Sequence, residues 1–336
     1  MLDLLSIASI AFTFMVTFLV TFTATPAVAK AMRHRGITGK DVHKRSKVRI
    51  PEMGGLAILL GLAIGTTSYV ILFPHFAREV VAFLGTVLIA GGIGIVDDLR
   101  PLGARVKPLF TAFACLPILL LGAYDPFPVI PLIGTVRLTL LYPLLLIPLA
   151  IAVTSNSVNM MDVMNGSMAG TVAIIAAALT GILFASGKVQ SASLAAALLA
   201  AMLAFYYFNR FPARVFGGDT GSLAVGAALG ALSILGRIET VVIVALIPHI
   251  MNAFYGLASV GGLRERREIG HRPIRLRRNG LLEASDRKDA PVTVARLILA
   301  GGPLSERQVV TGMMTLTAVS SLLAVLTYLI TVIGRS

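Results

Sequence analysis

The sequence predicts an all-α, polytopic membrane protein with about ten transmembrane helices. Hydrophobic residues fill 56% of the 336 positions and charged residues only 13%, which is more apolar surface than one globular core can hide. Apolar runs of about 20 residues, the length that crosses the hydrocarbon core of a bilayer, recur along the chain. Basic residues concentrate in alternate loops between these runs, so the net charge of +13 belongs mostly to one face.

The predicted spans form a single integral membrane domain over residues 1–336. We place them near 4–27, 54–73, 80–97, 108–122, 139–155, 168–185, 192–208, 221–236, 240–260 and 309–333. The first is interpreted as a spanning helix rather than a signal peptide, because Asp3 and no Lys or Arg precedes it and its apolar part exceeds about 15 residues. The segment 123–138 is too rich in proline for a helix, and it predicts an extended excursion with a small β-hairpin.

The basic residues assign the two sides of the membrane. With ten spans, 24 of the 29 Lys and Arg fall on one side, in the loops 28–53, 98–107, 209–220 and 261–308. The positive-inside rule makes that side cytoplasmic and puts both termini outside. The loop 261–308 is the one extended polar segment, and its stretch "GLRERREIGHRPIRLRRNG" predicts a short strand or helix at the membrane surface.

Three explanations are open for this positive charge. Membrane topology and attraction to anionic lipid head groups account for most of it, and some of it fits a polyanionic substrate. Nucleic acid is disfavoured, because no aromatic residues interleave with the charges as a base-stacking platform requires. The lone cysteine, Cys115, lies in an apolar run, which excludes disulfide, Cys-ligated zinc and CxxC redox chemistry.

Carboxylates on the predicted cytoplasmic side are candidates for cation pairing, metal binding or proton transfer. Asp97 and Asp98 end one span, where adjacent side chains point about 100° apart and need not share a ligand. Helix termination with ion pairs to Arg100 or Arg105 is the structural alternative. In "VFGGDTGSL", Asp219 follows two glycines at a helix N-cap position, which suits capping, phosphate binding or a metal that bridges phosphates.

Two further clusters are polar. "SNSVNMMDVMNGS" spaces its polar residues at intervals of three, on one predicted helical face: Asn156, Asn159, Asp162 and Asn165. Such a stripe is costly against lipid, so it forms either a site or hydrogen bonds between helices. "EIGHRPIR" brings together His271, Arg272 and Arg275, and guanidinium forks suit the paired oxygens of phosphate, on a substrate or on a lipid.

Five motifs together resemble those of the polyprenyl-phosphate N-acetylhexosamine-1-phosphate transferase family, in the same order and loop positions over roughly 38–275. They are "KDVHKRSKVRIPEMGG", "GIVDDLRPLGARVKP", "NSVNMMDVMNG", "FGGDTGSL" and "IPHIMNAFYG…GHRPIR". The first looks most like the eukaryotic and archaeal type of UDP-GlcNAc:dolichyl-phosphate GlcNAc-1-phosphate transferase. The bacterial peptidoglycan branch has three histidines in its last cytoplasmic loop, where this chain has only His271. Asp162 matches the bacterial branch and Asn165 the eukaryotic one, a mixture that fits an archaeal enzyme.

The resemblance implies roles for individual residues. Asn159 and Asp219 match positions that hold Mg²⁺, with Mn²⁺ as an alternative, and Lys107 matches a lysine that contacts the phosphates. Asn165 and Phe216 match uracil-recognition positions. His271 and Arg272 match residues that hold the pyrophosphate and the amino sugar, while Gly270 replaces a family arginine for which Arg275 is the candidate substitute.

The remaining candidates complete the predicted site. Asp97 and Asp98 join Lys107 in the catalytic set, either as a general base or to position Lys107. We assign Asp162, Asn156 and Glu52 to nucleotide and sugar binding, and Asp41 and Lys44 to the lipid phosphate.

The resemblance implies transfer of GlcNAc 1-phosphate, or another HexNAc 1-phosphate, from a UDP-sugar to a polyprenyl or dolichyl phosphate, releasing UMP. This is the first step of lipid-linked glycan assembly. Phospho-MurNAc-pentapeptide transfer is the alternative within the family. A secondary transporter for an anionic solute is the rival class, but transporter sites lie near the midplane between repeats, whereas these acids lie at one boundary. The membrane is the plasma membrane in a prokaryote or the endoplasmic reticulum in a eukaryote, and a homodimer is left open.

Overall fold

The computed structural model describes residues 4–44, 48–263 and 270–333. The α-helices are α1 Leu4–His34, α2 Gly55–Leu72, α3 Ala77–Leu99, α4 Val106–Phe113, α5 Leu116–Leu120, α6 Ile147–Met161, α7 Ser167–Ala185, α8 Val189–Asn209, α9 Gly218–Leu235, α10 Glu239–Ala245, α11 Ile247–Ser259, α12 Val294–Ile298 and α13 Glu306–Ile333. A π-helical turn, Tyr142–Leu146, leads into α6. The strands are β1 Thr38–Lys40, β2 Arg49–Pro51, β3 Val129–Ile130, β4 Gly134–Thr135, β5 Ile274–Leu276 and β6 Leu282–Ala284. Parts of two predicted cytoplasmic loops, 45–47 and 264–269, lie outside the described residues.

The helices confirm an all-α, multi-pass membrane protein. Within the described ranges, eight helices are long and apolar enough to cross a membrane, and α10 with α11, bent by 65°, makes a ninth. The predicted span near 108–122 differs, because α4 and α5 break at Ala114 and Cys115 and reach only from 106 to 120. That is short of the about 20 residues of a regular span.

The broken pair still joins the two ends of the bundle. Lys107, at the start of α4, contacts the first residues of α9 at one end. Tyr124, just after α5, lies with its ring 6.2 Å from that of Tyr142 at the other end. The pair α4 and α5 is thus a candidate for the tenth predicted span, beside the eight long helices and the bent pair.

Within the described residues, three antiparallel hairpins lie at the ends of the bundle. β3 pairs with β4 inside 123–138, which confirms the predicted hairpin. β1 pairs with β2 in the loop 28–53, and β5 pairs with β6 in the loop 261–308. The last two lie at the end of the bundle where the predicted site residues gather.

Helix α9 forms the centre of the bundle, and every residue from Thr220 to Ile234 is buried. It packs on its neighbours backbone to backbone, through glycines. A Cβ added to Gly55 of α2 would lie 2.1 Å from the Gly221 nitrogen, and one on Gly94 of α3 would lie 2.3 Å from the Asp219 carbonyl oxygen. Close approach of this kind is typical of small residues at membrane helix interfaces. It brings the ends of three spans within reach of one another.

We expect Gly94→Ala to lower the free energy of unfolding by about 1–3 kcal/mol, because its methyl group would overlap the backbone of α9. Gly92→Ala on the same helix is the matched control, since within the described residues nothing lies within 4 Å of a Cβ there. It should leave stability unchanged or raise it by up to about 1 kcal/mol. Thermal unfolding in detergent measures both, and equal effects would contradict the packing argument.

Candidate active site

The ends of four helices meet at one end of the bundle. Asp97 and Asp98 end α3, Lys107 begins α4, Asn159 lies in the last turn of α6, and Asp219 lies in the first turn of α9. Each side chain was predicted from sequence as a site residue. The structure brings all five together.

Asp98 caps the N-terminus of α9. Its carboxylate accepts hydrogen bonds from Asp219 N at 2.8 Å, Thr220 N at 3.0 Å and Thr220 Oγ1 at 2.6 Å. Gly218 has φ +70°, and a Cβ there would lie 2.6 Å from Asp98 Oδ2. The first N–H groups of a helix lack partners within it, and a carboxylate satisfies them and complements the helix dipole. The capping oxygens therefore come from Asp98, whereas the sequence had suggested Asp219 for this role.

Lys107 lies between two carboxylates. Its Nζ is 2.5 Å from Asp97 Oδ2 and 2.5 Å from Asp219 Oδ2. Asp97 also accepts from Leu102 N at 2.5 Å, which holds the start of the α3–α4 connection. The ion pair of Asp97 is thus with Lys107, rather than with the nearer Arg100 or Arg105.

Asn159 completes the cluster on the α6 side. Its Nδ2 donates to Asp219 Oδ1 at 2.7 Å and to Ser222 Oγ at 2.8 Å. Ser222 was quoted in the sequence motif but was not assigned to the site. These contacts use only the amide nitrogen of Asn159, so its amide oxygen is a candidate metal ligand beside the carboxylates.

The donor chemistry of this cluster fits a hard divalent cation. Within the described residues, no three or more His, Cys, Asp or Glu side chains form a metal cage by themselves. Mg²⁺ does not need one, since it binds one or two carboxylates and takes its other ligands from water and phosphate oxygens. The Lys107 ammonium, between Asp97 and Asp219, marks a position where the protein already stabilises positive charge.

The predicted polar stripe does not stay on one helical face. Helix α6 ends at Met161, so Asp162 and Asn165 lie in the turn that leads to α7. Asn156 donates from Nδ2 to Thr111 Oγ1 of α4 at 2.8 Å and to Ala152 O at 2.8 Å. Its amide group therefore forms a hydrogen bond between helices, which is the alternative to a site role. Asn156 contributes to the site indirectly, because it holds α4, the helix that carries Lys107.

Asp162 is a partly buried carboxylate beside α9. Ser167 Oγ donates to its Oδ1 at 3.4 Å. Burial and the negative charge of Asp219 raise the pKa of Asp162 to about 7. Glu52, directly after the strand β2, faces the same charges: burial and the nearby Asp98 and Asp219 raise its pKa above the usual value.

Asn165 is held by residues from distant parts of the chain. Its Nδ2 donates to Asp41 Oδ2 at 3.1 Å, and its backbone N donates to Glu306 Oε1 at 2.9 Å. Asp41 also forms an ion pair with Lys44 at 2.7 Å. Burial raises the pKa of Asp41, but the hydrogen bonds from Lys44 and Asn165 outweigh it and lower the pKa below its usual value. The buried Asp41 carboxylate faces Asn165, which is not the open position that a lipid-phosphate ligand requires.

Asn209, at the end of α8, joins the loop of Asn165 to that of Phe216. Its Oδ1 accepts from Gly166 N at 3.1 Å, and its Nδ2 donates to Val215 O at 2.9 Å. The buried Asn209 amide therefore bonds to Gly166 and Val215, which are the chain neighbours of Asn165 and Phe216, the two residues matched to uracil recognition. Sequence analysis missed Asn209, because a single Asn at the end of an apolar run carries no local pattern.

A basic cavity of about 460 Å³ lies beside this loop. It is lined by Val42, His43, His271, Arg272, Ile274, Arg275, Leu276, Ser285 and Arg287. His271, Arg272 and Arg275 come together as predicted. His271 Nε2 lies 3.2 Å from Asp289 Oδ2, and Arg275 pairs with Asp286 at 2.9 Å. Arg287 was not predicted, and it is a second candidate for the arginine that Gly270 replaces.

These features define a multi-pass membrane protein with a buried charged site and a basic cavity at one end of its helix bundle. The sequence profile of glycosyl transferase family 4 matches residues 80–237. A Sulfolobus acidocaldarius protein assigned as a UDP-N-acetylglucosamine–dolichyl-phosphate N-acetylglucosaminephosphotransferase is 30% identical over 254 residues, which cover 74% of this chain and 77% of that protein. The chain belongs to glycosyl transferase family 4, and it is an integral membrane glycosyl transferase.

Two bacterial relatives are similar to the chain at the same level. An undecaprenyl-phosphate N-acetylglucosaminyl 1-phosphate transferase assigned in Bacillus subtilis is 31% identical over 242 residues, covering 71% of this chain and 66% of that protein. A phospho-N-acetylmuramoyl-pentapeptide-transferase of Shouchella clausii is 34% identical over 221 residues, covering 61% and 66%.

The raised pKa of Asp162 predicts a pH-dependent stability. The folded protein holds the proton up to a pKa of about 7, whereas the unfolded chain releases it near 3.8. Between these values the folded state binds more protons, so the free energy of unfolding falls as pH rises and levels off above about pH 7. Asp162→Asn removes this contribution. We expect the difference in unfolding midpoint, variant minus wild type, to increase from about pH 5 to about pH 8; a constant difference would contradict the assignment.

Proposed function

We propose that the protein transfers N-acetylglucosamine 1-phosphate from UDP-GlcNAc to a polyprenyl or dolichyl phosphate. The observation that carries the proposal is the convergence of Asp97, Lys107, Asn159 and Asp219 from four helix ends, at the end of the bundle that also carries a basic cavity. The names of the archaeal and Bacillus relatives support the same substrates. A soluble nucleotide sugar and a lipid phosphate both reach such a site from the cytoplasmic side without crossing the membrane.

In the proposed reaction, an oxygen of the lipid phosphate attacks the β-phosphorus of UDP-GlcNAc. A new P–O bond forms, the bond between the two phosphates breaks, and UMP leaves with the electron pair. Phosphoryl transfer depends mainly on positioning the reactants and neutralising their charge. Lys107 is the cation of the central cluster, and Arg272, Arg275 and Arg287 supply positive charge in the cavity.

Asp219 and the amide oxygen of Asn159 are the residues that we propose hold Mg²⁺, with Mn²⁺ as an alternative. When bound, the cation supplies charge neutralisation on the pyrophosphate. The protein's own part is to keep both ligands fixed. Asp98 does so by capping α9, and Ser222 does so by accepting from Asn159.

Other side chains divide the donor substrate between them. We assign Asn165 and Phe216 to the uracil base, and His271, Arg272 and Arg275 to the pyrophosphate and amino sugar. Asp162 and Glu52 lie near Asp219, and we keep both as candidates for nucleotide and sugar binding. Lys44 remains a candidate for the lipid phosphate.

UMP release tests the function. Purified protein with UDP-GlcNAc, a polyprenyl phosphate and Mg²⁺ should release UMP, and EDTA or omission of the lipid should abolish it. Asp219→Ala should lower the rate by at least about 100-fold, a typical cost of losing an electrostatic contact in the transition state. Asp125→Asn, at the opposite end of the bundle, is the control that keeps the rate.

The donor specificity separates the alternatives. UMP release from UDP-MurNAc-pentapeptide and not from UDP-GlcNAc would assign the peptidoglycan reaction. No UMP from any UDP-sugar with folded protein would reject the transferase and lead to transport assays.

The pH profile of Asp97→Asn tests whether Asp97 is a general base. The second pKa of a phosphate monoester is about 6, so the lipid phosphate is already largely dianionic at neutral pH. Both Asp97 oxygens are engaged, with Lys107 and Leu102 N, which supports a positioning role. We expect the variant to lose rate by a similar factor at all pH values. A variant that keeps its maximal rate at high pH and loses it only at low pH would instead establish a base.

A further inference from the structure

Two carboxylates from opposite ends of the sequence hold Asn165. Asp41 accepts from its side-chain Nδ2, and Glu306 accepts from its backbone N. Asn165, Asp41 and Glu306 are each only 5% exposed. Three such groups are not buried together unless their bonds compensate for lost hydration. Their arrangement therefore calls for an explanation beyond a loop contact.

Asp41 fixes which way the Asn165 amide points. An ionised carboxylate only accepts hydrogen bonds, so the NH₂ group of Asn165 must face it and the carbonyl oxygen must face away. In the described part of the chain, no side chain or backbone group donates to Asn165 Oδ1. It is also absent from the fully buried side-chain atoms that lack a partner. The oxygen thus keeps its hydrogen-bonding capacity and is not completely enclosed.

Glu306 fixes the backbone at the same residue. Its Oε1 bonds to Asn165 N, and its Oε2 is buried without a partner among the described residues. Arg307 and Lys44 both lie over the Phe211 ring, at distances of 5.0 and 4.8 Å from its centroid. These cations offset the two carboxylates without bonding to Asn165.

Asn165 is one of the two residues that we assign to the uracil base under the proposed function, and Phe216 is the other. The Asn209 side chain bonds to Gly166 N and Val215 O. Gly166 is next to Asn165 in the chain and Val215 is next to Phe216, so Asn209 ties the two loops together. A side chain that only accepts a hydrogen bond suits a base that offers a ring N–H. Uracil carries such a donor at N3, whereas cytosine carries a lone pair at N3.

We infer that Asp41 and Glu306 are positioning residues that set the base selectivity, by locking Asn165 as a hydrogen-bond acceptor only. The lock favours the imide N–H of uracil and rejects the N3 lone pair of cytosine. This inference rests on the proposed function, because it assumes that the site binds a uridine nucleotide. It assigns Asp41 to the nucleotide rather than to the lipid phosphate.

The test compares the dissociation constants of UMP and CMP, by calorimetry on the full-length protein in detergent with Mg²⁺. Asp41→Asn replaces the acceptor by an amide that either accepts or donates, so the Asn165 side chain is free to flip. We expect the ratio of CMP to UMP dissociation constants to fall about tenfold, the value of one hydrogen bond, with CMP binding more tightly than to wild type. A folding defect does not produce a gain in CMP affinity.

Glu306 variants provide the second arm. Glu306→Gln keeps an acceptor for Asn165 N and should keep the selectivity, whereas Glu306→Ala should lower it. Asp125→Asn is the isosteric control at the far end of the bundle. The same variants, assayed for kcat/KM with UDP-GlcNAc and CDP-GlcNAc, should change the ratio of the two values rather than kcat alone.

The outcomes separate the two proposals. If wild type selects UMP but Asp41→Asn keeps the same ratio, or loses both ligands equally, the locking role is rejected and the transferase stands. If wild type binds neither nucleotide and transfers no sugar phosphate, the proposed function itself fails.

Discussion

The site depends on one interaction, the capture of the α9 N-terminus by Asp98. Three donors of α9 converge on this carboxylate, which is carried by another helix. Helix α9 is buried along its length and packs on its neighbours through glycine. A small shift of its first turn would therefore cause steric overlap with those helices. The cap therefore fixes Asp219 relative to Lys107 and Asn159 at the same time. Gly218, with φ +70°, is what lets the backbone come so close to Asp98.

Charge balance explains why these groups stay together. A lone carboxylate or ammonium in a low-dielectric interior is costly, and removing one partner of a buried pair leaves an uncompensated charge. Lys107 compensates the charges of Asp97 and Asp219 by forming an ion pair with each of them. The cluster still holds more negative than positive groups, while the neighbouring cavity is positive. A bound cation would balance the negative cluster, and a bound polyanion would balance the positive cavity, so both are needed to balance the whole site.

The sequence was sufficient for the class of fold, most span limits and the identity of the central cluster. Those follow from local signals: apolar runs, one-sided basic loops and short motifs. It was insufficient for the break at Ala114 and for the end of α6 at Met161, where tertiary contacts decide between neighbouring conformations. It also missed Asn209 and Glu306. Glu306 contacts Asn165 across 141 positions, and a contact of that range leaves no periodicity to detect.

The connections of Asn165 have a consequence for how the protein is made. A ribosome delivers α1 first and α13 last, and Asp41 precedes α2 while Glu306 opens α13. The catalytic cluster needs nothing beyond α9, so a nascent chain assembles it early. The hydrogen bond from Asn165 N to Glu306 forms only when α13 has been inserted. A chain stalled before α13 is inserted would therefore hold the charged cluster without the bond from Asn165 to Glu306.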